Sequence, residues 1–328
     1  NYDAVTQYAF SAKLGGIFYL KDLEGDTNES LSNSTLNASL SHSFDQTLRY
    51  NGSLSFAWQP EPNYSNGIAN SRRDGDYIYV YVSSSLSKAW TTRYSTTVGA
   101  SYSMIDYQED SAKTDNRQYF NLNLNNRYKW TERLALSINW NGSYCDREYG
   151  NNEFSNFVMA GAEYAVAQNT SATLRVGPQF KHVDNYGTKT YPSAEFGLNH
   201  RMSDRFSLGM FVRYSNEATN TYVPQTGASY YSNETWRVGL TSTMKVTHRV
   251  SLNAGVNLIS SDYSRPSSSS TDTKTLTFNA TAGVKMMLTN VLALTAQYSY
   301  TNGSYSGYNF PMPSYNRNVF SFGMNYSF

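Results

Sequence analysis

The sequence predicts an all-β fold: a transmembrane antiparallel up-and-down β-barrel of about sixteen strands, occupying residues 1–328 as one domain. Three observations predict it. First, apolar and polar residues alternate with period two through long segments, the signature of strands with one apolar and one polar face. Second, short polar turns recur every 35–46 residues. That interval fits two crossings of about 10 residues each plus their connections. Third, charged residues make up 16% of the chain while aromatics reach 15%, with 29 Tyr. The charged share lies below the roughly 25% of ordinary globular proteins. The negative mean hydropathy of −0.57 therefore comes from Ser, Thr and Asn. No run of about 20 apolar residues is present, so helical spans are excluded.

The first strand starts near Thr6 and runs to about Leu20, with Tyr8, Phe10, Ala12, Leu14 and Phe18 on one face. A polar loop over 24–33 follows. The second strand carries Leu36, Ala38, Leu40 and Phe44, and ends in the turn Asp45-Gln46-Thr47. The third returns through Leu48, Tyr50, Leu54, Phe56 and Trp58 to a loop over 59–75. This unit then repeats: strand, tight turn, strand, long loop.

The tight turns resemble one another: Thr91-Thr92-Arg93, Thr131-Glu132-Arg133, Ser203-Asp204-Arg205 and Thr247-His248-Arg249. Looser copies are Gln168-Asn169-Thr170 and Thr289-Asn290-Val291. Long loops fall near 108–116, 146–153, 184–190, 216–233, 260–272 and 301–316. Tight turns are expected in the periplasm and long loops outside the cell. Trp90, Trp130 and Phe44 flank the tight turns, and Trp58, Trp140 and Trp236 lie towards the loops, as interfacial girdles require. The last strand alternates without a fault. Phe320, Phe322, Met324, Tyr326 and Phe328 share a face, against Ser321, Gly323, Asn325 and Ser327. It is the expected seam partner of the first strand, since a barrel in lipid leaves no open edge.

Several classes are disfavoured. A soluble propeller or solenoid would use shorter strands and a buried core. A net charge of +1 gives no reason to expect nucleic acid as a partner. The single Cys145 excludes an intrachain disulfide framework. No His pair has metal-ligand spacing, and no cofactor motif is present. Of the four His, only His182 lies near the loop end with a carboxylate close by, Asp184, and nothing places a nucleophilic Ser beside it. The residues 1–11 lack a basic start followed by an apolar run, so the sequence reads as a mature exported chain.

Candidate functional residues lie on the inward face, identified by parity. Most inward positions are small and uncharged, such as Asn121, Asn123 and Asn125. Mid-chain strands instead present Glu163, Arg175, Lys181, Glu195, Arg213 and Arg237. The wall from residue 250 onward is expected to carry little inward charge beyond Lys274 and Lys285. A transverse field at a constriction would favour polar or anionic solutes. The alternative is that cross-strand ion pairs solvate and stiffen a water-filled lumen. Tyr77, Tyr79 and Tyr81 are also inward by parity. They form either an aromatic slide for glycan rings or an interface girdle.

The repeated turn, clearest at Trp130-Thr131-Glu132-Arg133-Leu134-Ala135-Leu136 and Met202-Ser203-Asp204-Arg205-Phe206-Ser207-Leu208, resembles the β-barrel porin 2 family of outer-membrane proteins. Some members of that family come from exopolysaccharide loci. Copies in the family often carry Pro at the variable turn position, and this chain has none there. The resemblance implies an outer-membrane barrel with a polysaccharide context, and it carries no functional residues. It also implies that Phe322, Met324, Tyr326 and Phe328 form the terminal signal read by the barrel assembly machinery. The expected function is passive diffusion of small hydrophilic solutes across the bacterial outer membrane. Alternatives are a component of exopolysaccharide export and a surface-anchoring barrel with a closed lumen. A homo-oligomer is compatible with either.

Overall fold

The computed structural model describes residues 5–19, 29–30, 33–59, 76–110, 113, 116–218, 230–264, 273–306 and 314–327. Sixteen long strands form one closed antiparallel barrel. They are β1 (Val5–Tyr19), β2 (Ser34–Ser43), β3 (Leu48–Gln59), β4 (Tyr77–Ala89), β5 (Tyr94–Tyr107), β6 (Arg117–Lys129), β7 (Leu134–Arg147) and β8 (Glu153–Ala167). The second half comprises β9 (Thr170–Val183), β10 (Gly187–Arg201), β11 (Phe206–Asn216), β12 (Ser232–Lys245), β13 (Val250–Ser264), β14 (Thr273–Met287), β15 (Leu292–Ser306) and β16 (Tyr315–Ser327). Each strand pairs with its sequence neighbour, and β16 pairs with β1.

The seam is shared by β1 along its length. Its first part, from Val5 to Lys13, pairs with β2, and its later part, from Ser11 to Tyr19, pairs with β16. A two-residue segment, Glu29–Ser30, adds a short bridge to Ile17 and Phe18. The seam register sets Leu14 opposite Met324 and Gly15 opposite Gly323. A Cβ on Gly15 would lie 2.6 Å from the Phe322 carbonyl oxygen, so the close approach needs glycine.

The apolar residues face outward. Phe10, Leu40, Leu54, Leu122, Ile138, Val176, Leu240, Leu294 and Phe322 are all exposed. Such a surface is stable only where the surrounding solvent is hydrocarbon, and closure leaves no unpaired edge to face it. Buried residues cluster instead inside the barrel, towards the loop end. They include Tyr77, Ile105 and Tyr107 in one group and Tyr230 with Tyr263 in another.

The turn motif has a local cause. In five of the copies a hydroxyl at the first position accepts the N–H groups two and three residues on. Thr131 Oγ1 accepts from Arg133 (3.2 Å) and Leu134 (2.9 Å). Thr91, Ser203, Thr247 and Thr289 repeat the arrangement. Asp45 supplies a carboxylate instead, accepting from the Thr47 N–H (2.6 Å), the Thr47 hydroxyl (2.7 Å) and the Leu48 N–H (2.8 Å). The Thr47 hydroxyl is the main cause holding the Asp45 carboxyl down at about 2. These side chains satisfy turn N–H groups that the ladder leaves open.

Two sequence expectations are corrected. The segment 184–190 is not a long loop. Residues 184–186 alone connect β9 to β10, with Asn185 (φ 70°) and Gly187 (φ 79°) in the left-handed region that makes a hairpin this tight feasible. Lys274 is not inward. β14 runs unbroken from Thr273 to Met287, so Lys274 and Lys285 must lie on opposite faces. Lys274 shares the outward face with Leu276 and pairs with Asp262 (2.8 Å). Among the described residues of that wall, the buried cation is Arg317 of β16.

Candidate functional site

Strict alternation along β6–β11 turns the odd-numbered residues inward. They line a cavity of about 710 Å³ in the lumen. Two kinds of polar group line it: a block of uncharged amides and a set of cross-strand ion pairs.

The amides come from β6 and β7. Asn121, Asn123 and Asn125 stand opposite Ser143, Asn141 and Asn139. On the other side of β6, Gly99 of β5 pairs with Asn123. The absence of a Cβ there lets the Asn123 amide lie over the strand, since a Cβ would come within 2.7 Å of its Nδ2. Asn139 Nδ2 donates to Ser137 Oγ (3.0 Å). Tyr119 and Phe157 extend the same wall and line the same cavity.

Each of the six mid-chain charged residues expected from the sequence has an ionic partner. Glu163 of β8 accepts from Arg127 Nε (2.9 Å), and Arg175 Nη1 donates to Glu195 (3.3 Å). Lys181 is buried (1% exposed) and lies 2.9 Å from Glu153, whose other oxygen is 2.6 Å from Arg147 Nη2. Arg213 (2.8 Å) and Arg237 (2.6 Å) both reach Glu217. The six residues thus form four local groups rather than one continuous ladder.

Glu217 follows the last residue of β11 and turns back into the lumen. Lys181 Nζ donates to Asn216 Oδ1 (2.9 Å) and to the Glu217 carbonyl (2.8 Å). Gln179, fully buried, donates to the Asn216 carbonyl (2.7 Å) and accepts its N–H (2.9 Å). The chain leaving β11 is therefore fixed against the inner wall before residue 218. Burial alone would raise the Glu217 carboxyl. The Arg237 and then the Arg213 guanidinium outweigh it and hold the group at about 2.

Tyr77, Tyr79 and Tyr81 differ in setting. Tyr77 is buried, packs 5.6 Å from the Tyr107 ring and donates to Gln59 Oε1 (3.0 Å). Tyr79 is partly buried against the same cluster. Tyr81 stands opposite Ser55 and Ser103 on the small-residue wall. His182 contacts Thr188 Oγ1 (3.0 Å) and lies 4.0 Å from Asp184. At the closing strand, Phe322, Met324 and Tyr326 are exposed on the outer face. Phe328 lies outside the described residues.

Sequence reasoning missed Arg127, Arg147, Glu153 and Glu217. For Arg127 the signal was present, since it continues the parity of Asn121, Asn123 and Asn125. Arg147 and Glu153 sit at strand ends that the sequence reading assigned to a loop. Glu217 lies beyond any strand, where parity gives no orientation.

Residues 172–328 match the family model for the outer membrane protein beta-barrel domain. The chain is similar to the outer membrane channel DcaP of Acinetobacter baumannii, with 14% identity and a TM-score of 0.55, covering 99% of this chain and 97% of that one. It is also similar to a loop L8 deletion mutant of OmpT, an outer membrane protein of Vibrio cholerae. There the identity is 11% and the TM-score 0.52, covering 99% of each chain. No curated protein matches the sequence. At these identities the likeness is one of fold.

Proposed function

We propose that this chain is a bacterial outer-membrane channel through which small hydrophilic solutes diffuse passively. The observation that carries the reading is a polar cavity of about 710 Å³ inside a sixteen-stranded barrel whose outer face is apolar. Barrels of about this strand number are wide enough to leave an aqueous passage. The wall offers hydroxyls, amides and paired charges, which replace part of a solute's hydration without trapping it. The orientation follows the barrel rule, with tight turns in the periplasm and long loops at the cell surface. Phe322, Met324, Tyr326 and Phe328 serve in this reading as the aromatic strand face recognised during assembly.

Reconstitution in a planar bilayer tests the proposal. Stepwise conductance in potassium chloride is expected from the purified, refolded chain. Folded protein that inserts and passes no current would overturn it. One observation favours a second reading. Tyr77, Tyr107, Tyr230 and Tyr263 are buried at the loop end, as a closed, surface-anchoring barrel would require. The same measurement separates the two.

A further inference from the structure

We infer that the amide ladder of β6 and β7 is a binding subsite for the hydroxyl groups of a neutral oligosaccharide. The inference rests on the channel reading above and names the solute class.

The first argument is the state of the amides. Among the described residues the side chains of Asn121, Asn123 and Asn141 make no hydrogen bond within the protein, and all three line the cavity. The Oδ1 of Asn125 is buried without a donor. A buried polar atom without a donor costs about 1–3 kcal/mol, so the Asn125 Oδ1 favours a hydroxyl donor from whatever fills the cavity. Two of the neighbouring cations are committed to carboxylates, Arg175 to Glu195 and Arg213 to Glu217.

The second argument is the geometry of the grid. Residues at i, i+2 and i+4 on one strand project their amides at roughly 6.6–6.8 Å intervals. The facing strand adds a second column about 5 Å away. A carboxamide presents two donors and one acceptor in a fixed plane. A ligand that matches such a grid must donate and accept repeatedly along its length. Hydroxyl groups do both. Phosphate and carboxylate groups only accept and would leave the amide oxygens unpaired. Ammonium groups only donate.

The third argument is charge. The cavity is lined by Arg117, Arg175 and Arg213 and by Glu153, Glu195 and Glu217, a balance that favours no ionic ligand. Phe157, opposite Asn141 in the register of β7 and β8, adds an apolar ring beside the amides. Sugar rings carry C–H faces as well as hydroxyls, and an aromatic face next to planar amides matches both. The Asn123 amide is seated over Gly99, so part of the grid is held in place before a ligand arrives.

The test is current block in a planar bilayer, with maltotetraose as the probe. The wild-type chain should show concentration-dependent block. Polyethylene glycol of equal size should block more weakly at the same concentration, and so should citrate. The triple variant N121A/N123A/N141A, with block expressed as a fraction of its own open current, should lose affinity by about tenfold or more, the sum of several modest hydrogen bonds. Equal block by polyethylene glycol or citrate, or unchanged affinity in the variant, overturns the proposal. If the wild-type chain passes no current, the channel reading fails separately. Titration calorimetry of maltotetraose into detergent-solubilised protein then decides the subsite: heat lost in the triple variant supports it, and no heat with wild type overturns it.

Discussion

Arg237 grips both carboxylate oxygens of Glu217, Nε to Oε1 and Nη2 to Oε2, each at 2.6 Å. A forked pair of this kind fixes direction as well as distance. It fastens the first residue beyond β11 to the inner face of β12. Arg237→Ala leaves the Glu217 carboxylate without its forked partner, while Arg213 still reaches it and the Glu217 backbone keeps its bonds to Lys181 and Asn233. The expected result is a larger, noisier single-channel current and a loss of about 3–5 kcal/mol in stability, the usual effect of breaking a buried pair. Arg237→Lys should recover part of the stability and little of the quiet current, since an ammonium cannot bind both oxygens in one plane. An unchanged trace in Arg237→Ala would show that the tether does not shape the passage.

The same contact sets a pH dependence. Glu217 titrates at about 2 in the folded barrel, against an ordinary value of 4.5. A depressed carboxyl contributes stability that is fully present above its unfolded value and is lost as pH falls through its folded value. The tether should hold from pH 8 down to about pH 4 and fail only towards pH 2. Current noise recorded across that range checks this. A transition centred near the ordinary carboxylate value would mean that Glu217 is not held by the two guanidiniums.

A second buried group, Lys181–Glu153–Arg147, predicts an ordering of variants. Glu153 balances two cations, with Lys181 at 2.9 Å and Arg147 at 2.6 Å. Glu153→Gln strands two buried charges, whereas Lys181→Met leaves Glu153 still paired with Arg147. Glu153→Gln should therefore cost more, about 3–5 kcal/mol, and Lys181→Met less. The temperature at which the compact band on unheated gels converts to the unfolded band measures both. The reverse order would show that Lys181, through its bonds to Asn216 and Glu217, matters more than its charge balance.

The barrel was legible because its two periodicities are written locally. Alternation assigns each residue of β16 to a face without reference to any other strand. The hydroxyl two residues before each turn arginine dictates the turn by itself. The failures have physical causes too. The connection after β9 was read as long because Asp184, Asn185 and Thr188 are polar, while its true length depends on Asn185 and Gly187 accepting positive φ. Inward charges were found by parity, but their pairing was not, since Arg127 and Glu163 meet from strands 36 residues apart. The unengaged amides were visible as residues and invisible as a site. Their significance depends on which neighbours leave them unpaired.

Gly177 supplies the sharpest steric prediction. It sits in β9 against β8, where a Cβ would fall 1.9 Å from the Val158 carbonyl oxygen and 2.8 Å from the Met159 Cα. Both obstacles are backbone, so no side chain can swing aside. Relief requires the two strands to separate locally, where their register already skips Gly177 and Pro178, in a wall that also carries Arg175 and Gln179. Gly177→Ala should therefore destabilise the barrel by more than the roughly 1–3 kcal/mol typical of overpacking. Gly197 of the next strand is the matched control, because a Cβ there meets nothing within 4 Å. Gly197→Ala should leave the melting of the compact band unchanged or slightly raised, through the loss of backbone freedom in the unfolded chain. Equal behaviour of the two variants would contradict the close approach of β8 and β9 at this point.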